Sequence, residues 1–137
     1  MDRRTVLTAL GALAAPGWAA AQEYPPKKSV TMVVGFAPGG AADSSARLLA
    51  KKLGEFVGQN VVVDNKAGAG GNIAHQLVAT GPADGSTILF GSVGPLTIAP
   101  HMMKLPYDPF RDLAPLSGGV HFPNVLVVSA QSGIRHL

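Results

Sequence analysis

The segment Val33-Val34-Gly35-Phe36-Ala37-Pro38-Gly39-Gly40-Ala41-Ala42-Asp43 constrains this chain more than any other. An apolar strand runs into a Pro-Gly-Gly turn and continues directly as an amphipathic helix. Such a junction leaves the first N–H groups of the helix without intrachain partners, all pointing out of one turn. With the positive end of the helix dipole behind them, those donors suit a carboxylate or a phosphate. Two glycines remove the Cβ atoms that would hold an anion off the backbone. A second glycine-rich turn, Ala67-Gly68-Ala69-Gly70-Gly71-Asn72, follows the next strand and opens the next helix. One such turn alone would be explained as a tight connection. Two on adjacent units favour a pocket for a small anion.

The periodicity supplies the units. Val30 to Phe36 is a nearly continuous apolar run, the pattern of a parallel strand covered on both faces. Ala46, Leu49, Ala50, Leu53, Phe56 and Val57 then fall on one face of a helix, and Gly58 stands where that helix should stop. Asn60 to Asp64 reads as a second strand and Asn72 to Thr80 as a second helix. After the turn residues 81–85 comes a third strand, Thr87 to Phe90, closed by Gly91-Ser92. Pro95 to Lys104 reads as a short helix. The order β-α-β-α-β predicts an α/β fold with a doubly wound parallel sheet. Leu113 to Val120 and Asn124 to Ser129 read as two more strands with no helix between them, the start of a second unit.

At 137 residues the chain is one domain at most, or part of a larger one. Apolar residues are 47% and charged ones 14%, which excludes a disordered tail or a coiled coil. Residues 1–21 form an export signal: Arg3-Arg4, an apolar run from Val6 to Ala15 too short to span a bilayer, and Ala19-Ala20-Ala21 as cleavage site. Arg3-Arg4-Thr5-Val6-Leu7 also fits a loose twin-arginine pattern, so Sec and Tat routes both fit. Cleavage removes two arginines and one aspartate, lowering the formal charge from +3 to +2. The remaining basic residues are scattered without aromatic interleaving, so nucleic acid is not an expected partner. The chain has no cysteine, and an exported form must rely on its core rather than on disulfides.

Catalytic constellations are not apparent. Gly40 is followed by Ala41-Ala42 and not by the Lys-Ser/Thr of a P-loop, and Gly68-x-Gly70 lacks the third small residue of a dinucleotide fingerprint. Gly91-Ser92-Val93-Gly94 is not a nucleophile elbow. His75, His101, His121 and His136 show no metal spacing and read as surface or packing residues. Asp43, in the first helical turn, fits two roles equally: a residue complementing the helix dipole, or a polar group at the pocket rim. No metal or cofactor is expected, and an enzyme using the Pro-Gly-Gly loop as an oxyanion cradle is the weaker alternative.

The lead-in Tyr24-Pro25-Pro26-Lys27-Lys28, the loop from Phe36 to Asp43 and Gly58-Gln59-Asn60-Val61-Val62-Val63-Asp64-Asn65 occur in one order. Gly68-Ala69-Gly70-Gly71-Asn72, Ala83-Asp84-Gly85, Leu105-Pro106-Tyr107-Asp108-Pro109 and Pro123-Asn124-Val125-Leu126-Val127-Val128 follow. Together they resemble the Bug-type solute receptors, the periplasmic binding proteins of tripartite tricarboxylate transporters. The resemblance implies a periplasmic-binding-protein-like fold of type II character, two lobes closing on a small carboxylate that is passed to membrane permease subunits. Carried over by position, the ligand contacts fall to Phe36, Ala37, Pro38, Gly39, Gly40 and Asp43, to Ala69, Gly70 and Gly71, and to Gly91, Ser92 and Val93.

Two departures stand out. Lys66-Ala67 replaces an Arg-Pro usual in the second loop, and Ala99-Pro100 replaces an Asn-Pro. The chain also stops where a second lobe would be beginning. The resemblance thus implies a first lobe over 22–105, incomplete without returning C-terminal segments, and a crossover into the second lobe over 106–137. A truncated receptor of this kind is expected to bind weakly or not at all alone, and an inert remnant is the remaining alternative.

Overall fold

The computed structural model describes residues 28–123 and 125–134, so the expected export signal over 1–21 lies outside the described residues. Strand β1 (Val30–Val34) is buried at every position but Thr31, which explains its unbroken apolar run. It ends two residues before Phe36. Lys66 N–H donates to the Val34 carbonyl as a last rung, and the backbone then turns away at Gly35. Helix α1 (Ala41–Val57) starts behind Gly40, an extended residue with no side chain to offer as a cap. It stops at Gly58, whose left-handed φ of 67° lets its N–H return to the Gly54 carbonyl.

Strand β2 (Val61–Asn65), a 3₁₀ turn (Ala69–Gly71), helix α2 (Asn72–Ala79) and strand β3 (Thr87–Phe90) follow. The single helix expected over Pro95 to Lys104 divides into a π-helical turn (Gly94–Ile98) and a short helix α3 (Ala99–Met102). Pro100 has no N–H to give to an α-helical bond, and the ladder changes there.

The three strands are parallel in the order β2-β1-β3. Val30 pairs with Val61 on one side of β1, and Thr31 with Thr87 on the other. The chain crosses from β1 to β2 in one direction and returns past β1 to β3. Right-handed crossovers therefore place α1 and α2 on opposite faces, which is the doubly wound arrangement. Met32 and Val34 pack with Ala46 and Ala50 of α1, with Leu53, Val61, Val63, Ile88 and Phe90 around them. By strand alternation Val33 points to the other face, that of α2, whose buried residues are Ala74 and His75.

Two expectations from the sequence fail. Leu49 and Phe56 lie on the apolar side of α1, yet Leu49 is 40% and Phe56 89% exposed. Among the described residues the sheet has three strands, and its width covers only the row set by Ala46 and Ala50. Leu113 to Val120 and the described part of Asn124 to Ser129 form no strand. A strand needs a ladder partner, and none stands beside them among the described residues. Leu116, Val125, Leu126, Val127 and Val128 are all exposed.

Candidate anion-binding site

The loop after β1 is braced from inside. Asp43, on the first turn of α1, is buried, and its Oδ2 accepts from the Gly39 N–H at 2.9 Å and from Arg47 Nε at 3.0 Å. Its Oδ1 accepts from Asn65 Nδ2 at 3.0 Å. Asn65, the last residue of β2, also donates to the Phe36 carbonyl at 3.0 Å, and its Oδ1 accepts from Arg47 Nη2 at 3.1 Å. Hydrogen bonds from Arg47, Gly39 and Asn65 hold the Asp43 carboxyl at about 2, well below its ordinary value, so it is ionised. Every one of these bonds goes to the protein. Asp43 therefore stiffens the loop and is not among the residues lining the adjacent cavity.

The helix start remains open. The first bond of α1 runs from the Ser44 N–H to the Gly40 carbonyl, so the N–H groups of Ala41, Ala42 and Asp43 precede the ladder. No side chain caps them. Ala41 and Ala42 border a cavity of about 400 Å³, with Phe36 beside them. The opposite side is Phe90, Gly91, Ser92 and Val93, at the end of β3. Val120, His121 and Phe122 complete the lining from the C-terminal segment. The cavity thus lies outside the carboxyl ends of β1 and β3, where the two crossovers diverge. In open α/β sheets ligands bind at such switch points.

Ser92 joins the site in two ways. Its Oγ is buried and has no hydrogen-bond partner. Its N–H donates to His75 Nε2 at 3.2 Å, while His75 Nδ1 lies 2.9 Å from the Gly71 carbonyl. The two contacts fix one neutral tautomer. Nε2 must accept, so Nδ1 carries the proton and donates to Gly71. His75 is fully buried, and desolvation holds its pKa below the ordinary value against the opposing pull of the Gly71 carbonyl.

The two glycine turns touch backbone to backbone. A Cβ placed on Gly35 would fall 2.9 Å from Gly71 Cα. Gly71 is itself buried at a φ of 98°, a conformation for which glycine is suited. Ala69 and Gly70 are exposed on the turn beside it and do not line the cavity. Ala37, Pro38, Gly39 and Gly40 form the exposed loop next to the cavity, whereas Phe36, Gly91, Ser92 and Val93 line it. The sequence reading took His75 and His121 as surface or packing residues and placed none of Asn65, Val120 or Phe122 at the site. Asn65 ends an apolar strand with an amide, and His75 lies four residues beyond Gly71 beside buried Ala74; both were readable signals. Among the described residues no three His, Cys, Asp or Glu side chains gather as a metal site.

A parallel sheet with helices on both faces and a crevice at its switch point is a doubly wound α/β unit, and a solved periplasmic transporter shares it at 39% identity with a TM-score of 0.59 over 64% of this chain and 29% of its own. The chain belongs to the tripartite tricarboxylate transporter family of receptors, whose model matches residues 45–137. A UPF0065 protein from Pseudomonas sp. (strain P51) is 45% identical over 112 residues, covering 82% of this chain and 33% of the relative. A solved R. palustris protein with adipate has 40% identity and a TM-score of 0.57 over 64% of this chain and 29% of its own. MatC from Rhodopseudomonas palustris with bound malate has 35% identity and a TM-score of 0.53, over 64% and 30%. The chain spans about a third of the length of these relatives.

Proposed function

We propose that this chain forms the first wall of a periplasmic receptor that captures a small carboxylate and presents it to membrane permease subunits. The observation that carries the reading is the uncapped start of α1, whose Ala41 and Ala42 line the cavity at the β1–β3 switch point opposite the Gly91–Val93 turn. A carboxylate there would accept from the free N–H groups at Ala41 and Ala42. In this reading Phe36, Ala37, Pro38, Gly39 and Gly40 shape the mouth, with Gly91 and Val93 on the opposite rim. Asp43, Ala69, Gly70 and Gly71 hold those walls in place. Adipate and malate, present in two of the similar solved structures, set the ligand class to try first. Residues 22–105 would make the first lobe, following an export signal over 1–21, and 106–137 the passage toward a second. Binding is non-covalent.

Thermal melts with adipate, malate and sulfate test this. A ligand at a hundred times its dissociation constant adds about 2.7 kcal/mol to a folded receptor. Millimolar carboxylate is used so that even a weak affinity gives a visible shift. A melt raised by a carboxylate and not by sulfate supports the reading. A cooperative melt that no carboxylate moves refutes it.

A further inference from the structure

Building on the receptor reading, we propose that His75 is a positioning residue: its neutral ring clasps the Gly71 turn to the Ser92 turn, and proton uptake at Nε2 releases the Ser92 side of the cavity and weakens carboxylate binding. The ring bridges two backbone groups from different turns, donating at 2.9 Å and accepting at 3.2 Å. Only the Nδ1–H tautomer does both. A second proton can arrive only at Nε2, where it would face the Ser92 N–H, donor against donor. The acceptor is lost, and a cation is left in a fully buried position. Ser92 and Gly91 both line the cavity, and a Cβ on Gly91 would sit 3.6 Å from Nε2, so the ring underlies that wall.

The surroundings keep the device simple. The elements against α2 are β1, β3 and the Ala69–Gly71 turn, and none carries a titratable side chain. The Gly94–Ile98 turn carries none either. Tyr107 reaches α2 at Asn72, with its hydroxyl 3.1 Å from Oδ1, but burial raises its pKa and it is silent near neutral pH. His121 lines the same cavity from the C-terminal segment.

Long-range ¹H–¹⁵N spectra of the full chain, recorded from pH 8 down to pH 5, read the clasp without any ligand. The expected result is the Nδ1–H tautomer at high pH. The Ser92 amide should then shift along the same titration curve as the His75 ring, with a midpoint below the ordinary histidine value. His75→Gln removes that response, and His75→Asn serves if the glutamine variant does not fold. Between pH 8 and pH 5 adipate affinity should fall about tenfold further, about 1.4 kcal/mol, in the wild-type chain than in the variant, where only the ligand's own protonation weakens binding. An Nε2–H tautomer, a Ser92 amide indifferent to the ring's titration, or a ring that stays neutral until unfolding overturns the clasp. A fall in adipate affinity no larger in the wild-type chain than in the variant overturns its coupling to binding. Adipate that binds at no pH refutes the receptor reading, while the spectra still decide whether the clasp exists.

Discussion

Asn65 Nδ2 lies 3.0 Å from Asp43 Oδ1, so the last residue of the second strand holds the first turn of the first helix. The same amide nitrogen reaches the Phe36 carbonyl, and the amide oxygen takes Arg47. One side chain thus ties both ends of the loop that shapes the cavity.

Asn65→Ala should remove three hydrogen bonds and leave the Phe36 carbonyl without its side-chain donor. The expected loss is about 1–3 kcal/mol of stability, measured by denaturant unfolding. A neutral effect would mean that water replaces the amide at no cost.

The Asp43 carboxyl gives the chain a specific acid sensitivity. Its folded-state value, about 2, lies below the ordinary 3.8, so its contribution is fully present above the unfolded value. That contribution is lost as pH falls from about 4 toward 2, when the folded chain must take up the proton. Asp43→Asn should flatten the melting temperature across that interval, as thermal melts at stepped pH would reveal.

His75 contributes in a different window. Its folded pKa is depressed below 6.5, so its contribution is complete above 6.5 and declines as pH drops through the folded value. Melting temperature should fall between pH 7 and 5 in the wild-type chain and much less in His75→Gln.

Gly35→Ala forces a Cβ to within 2.9 Å of Gly71 Cα and 3.2 Å of the Gly71 carbonyl oxygen. Backbone lies on both sides and cannot rotate away, so a loss of about 1–3 kcal/mol is expected. Gly94→Ala meets nothing within 4 Å and is the control. Equal melts for the two variants would mean that the two glycine turns are not in contact.

Ser92→Ala tests the buried hydroxyl. The hydroxyl is buried without a partner, so removing it should leave stability unchanged or slightly raised. Carboxylate affinity should also stay within about twofold, because the hydroxyl is closed off from the cavity. A destabilised variant would mean that the hydroxyl has a protein partner in solution.

What the sequence disclosed followed from local chemistry. Thr87–Phe90 emerged with the bounds expected, because Gly85 and Gly91 bracket a short apolar run. Gly58 stopped α1 because its left-handed backbone suits glycine. The family resemblance, drawn from loops in order, led to the family that the comparison identifies. Non-local relations were not legible. His75 read as a packing residue until the Gly71 carbonyl and the Ser92 N–H were seen on its two nitrogens. The apolar runs after Leu113 have strand composition, but a strand is a pairing, and no partner stands beside them among the described residues. Val120, His121 and Phe122 reach the cavity along an irregular path that no periodicity marks.

The central claim is that the open start of α1 and the Ser92 turn bind one carboxylate between them. The direct measurement is a backbone-amide map of the chain titrated with adipate to millimolar concentration, with sulfate in parallel. The account predicts saturable shifts at Ala41, Ala42 and Ser92 with one common dissociation constant, and none of that pattern with sulfate. Amides at those three positions that stay still, or that move only in proportion to ionic strength, would contradict it.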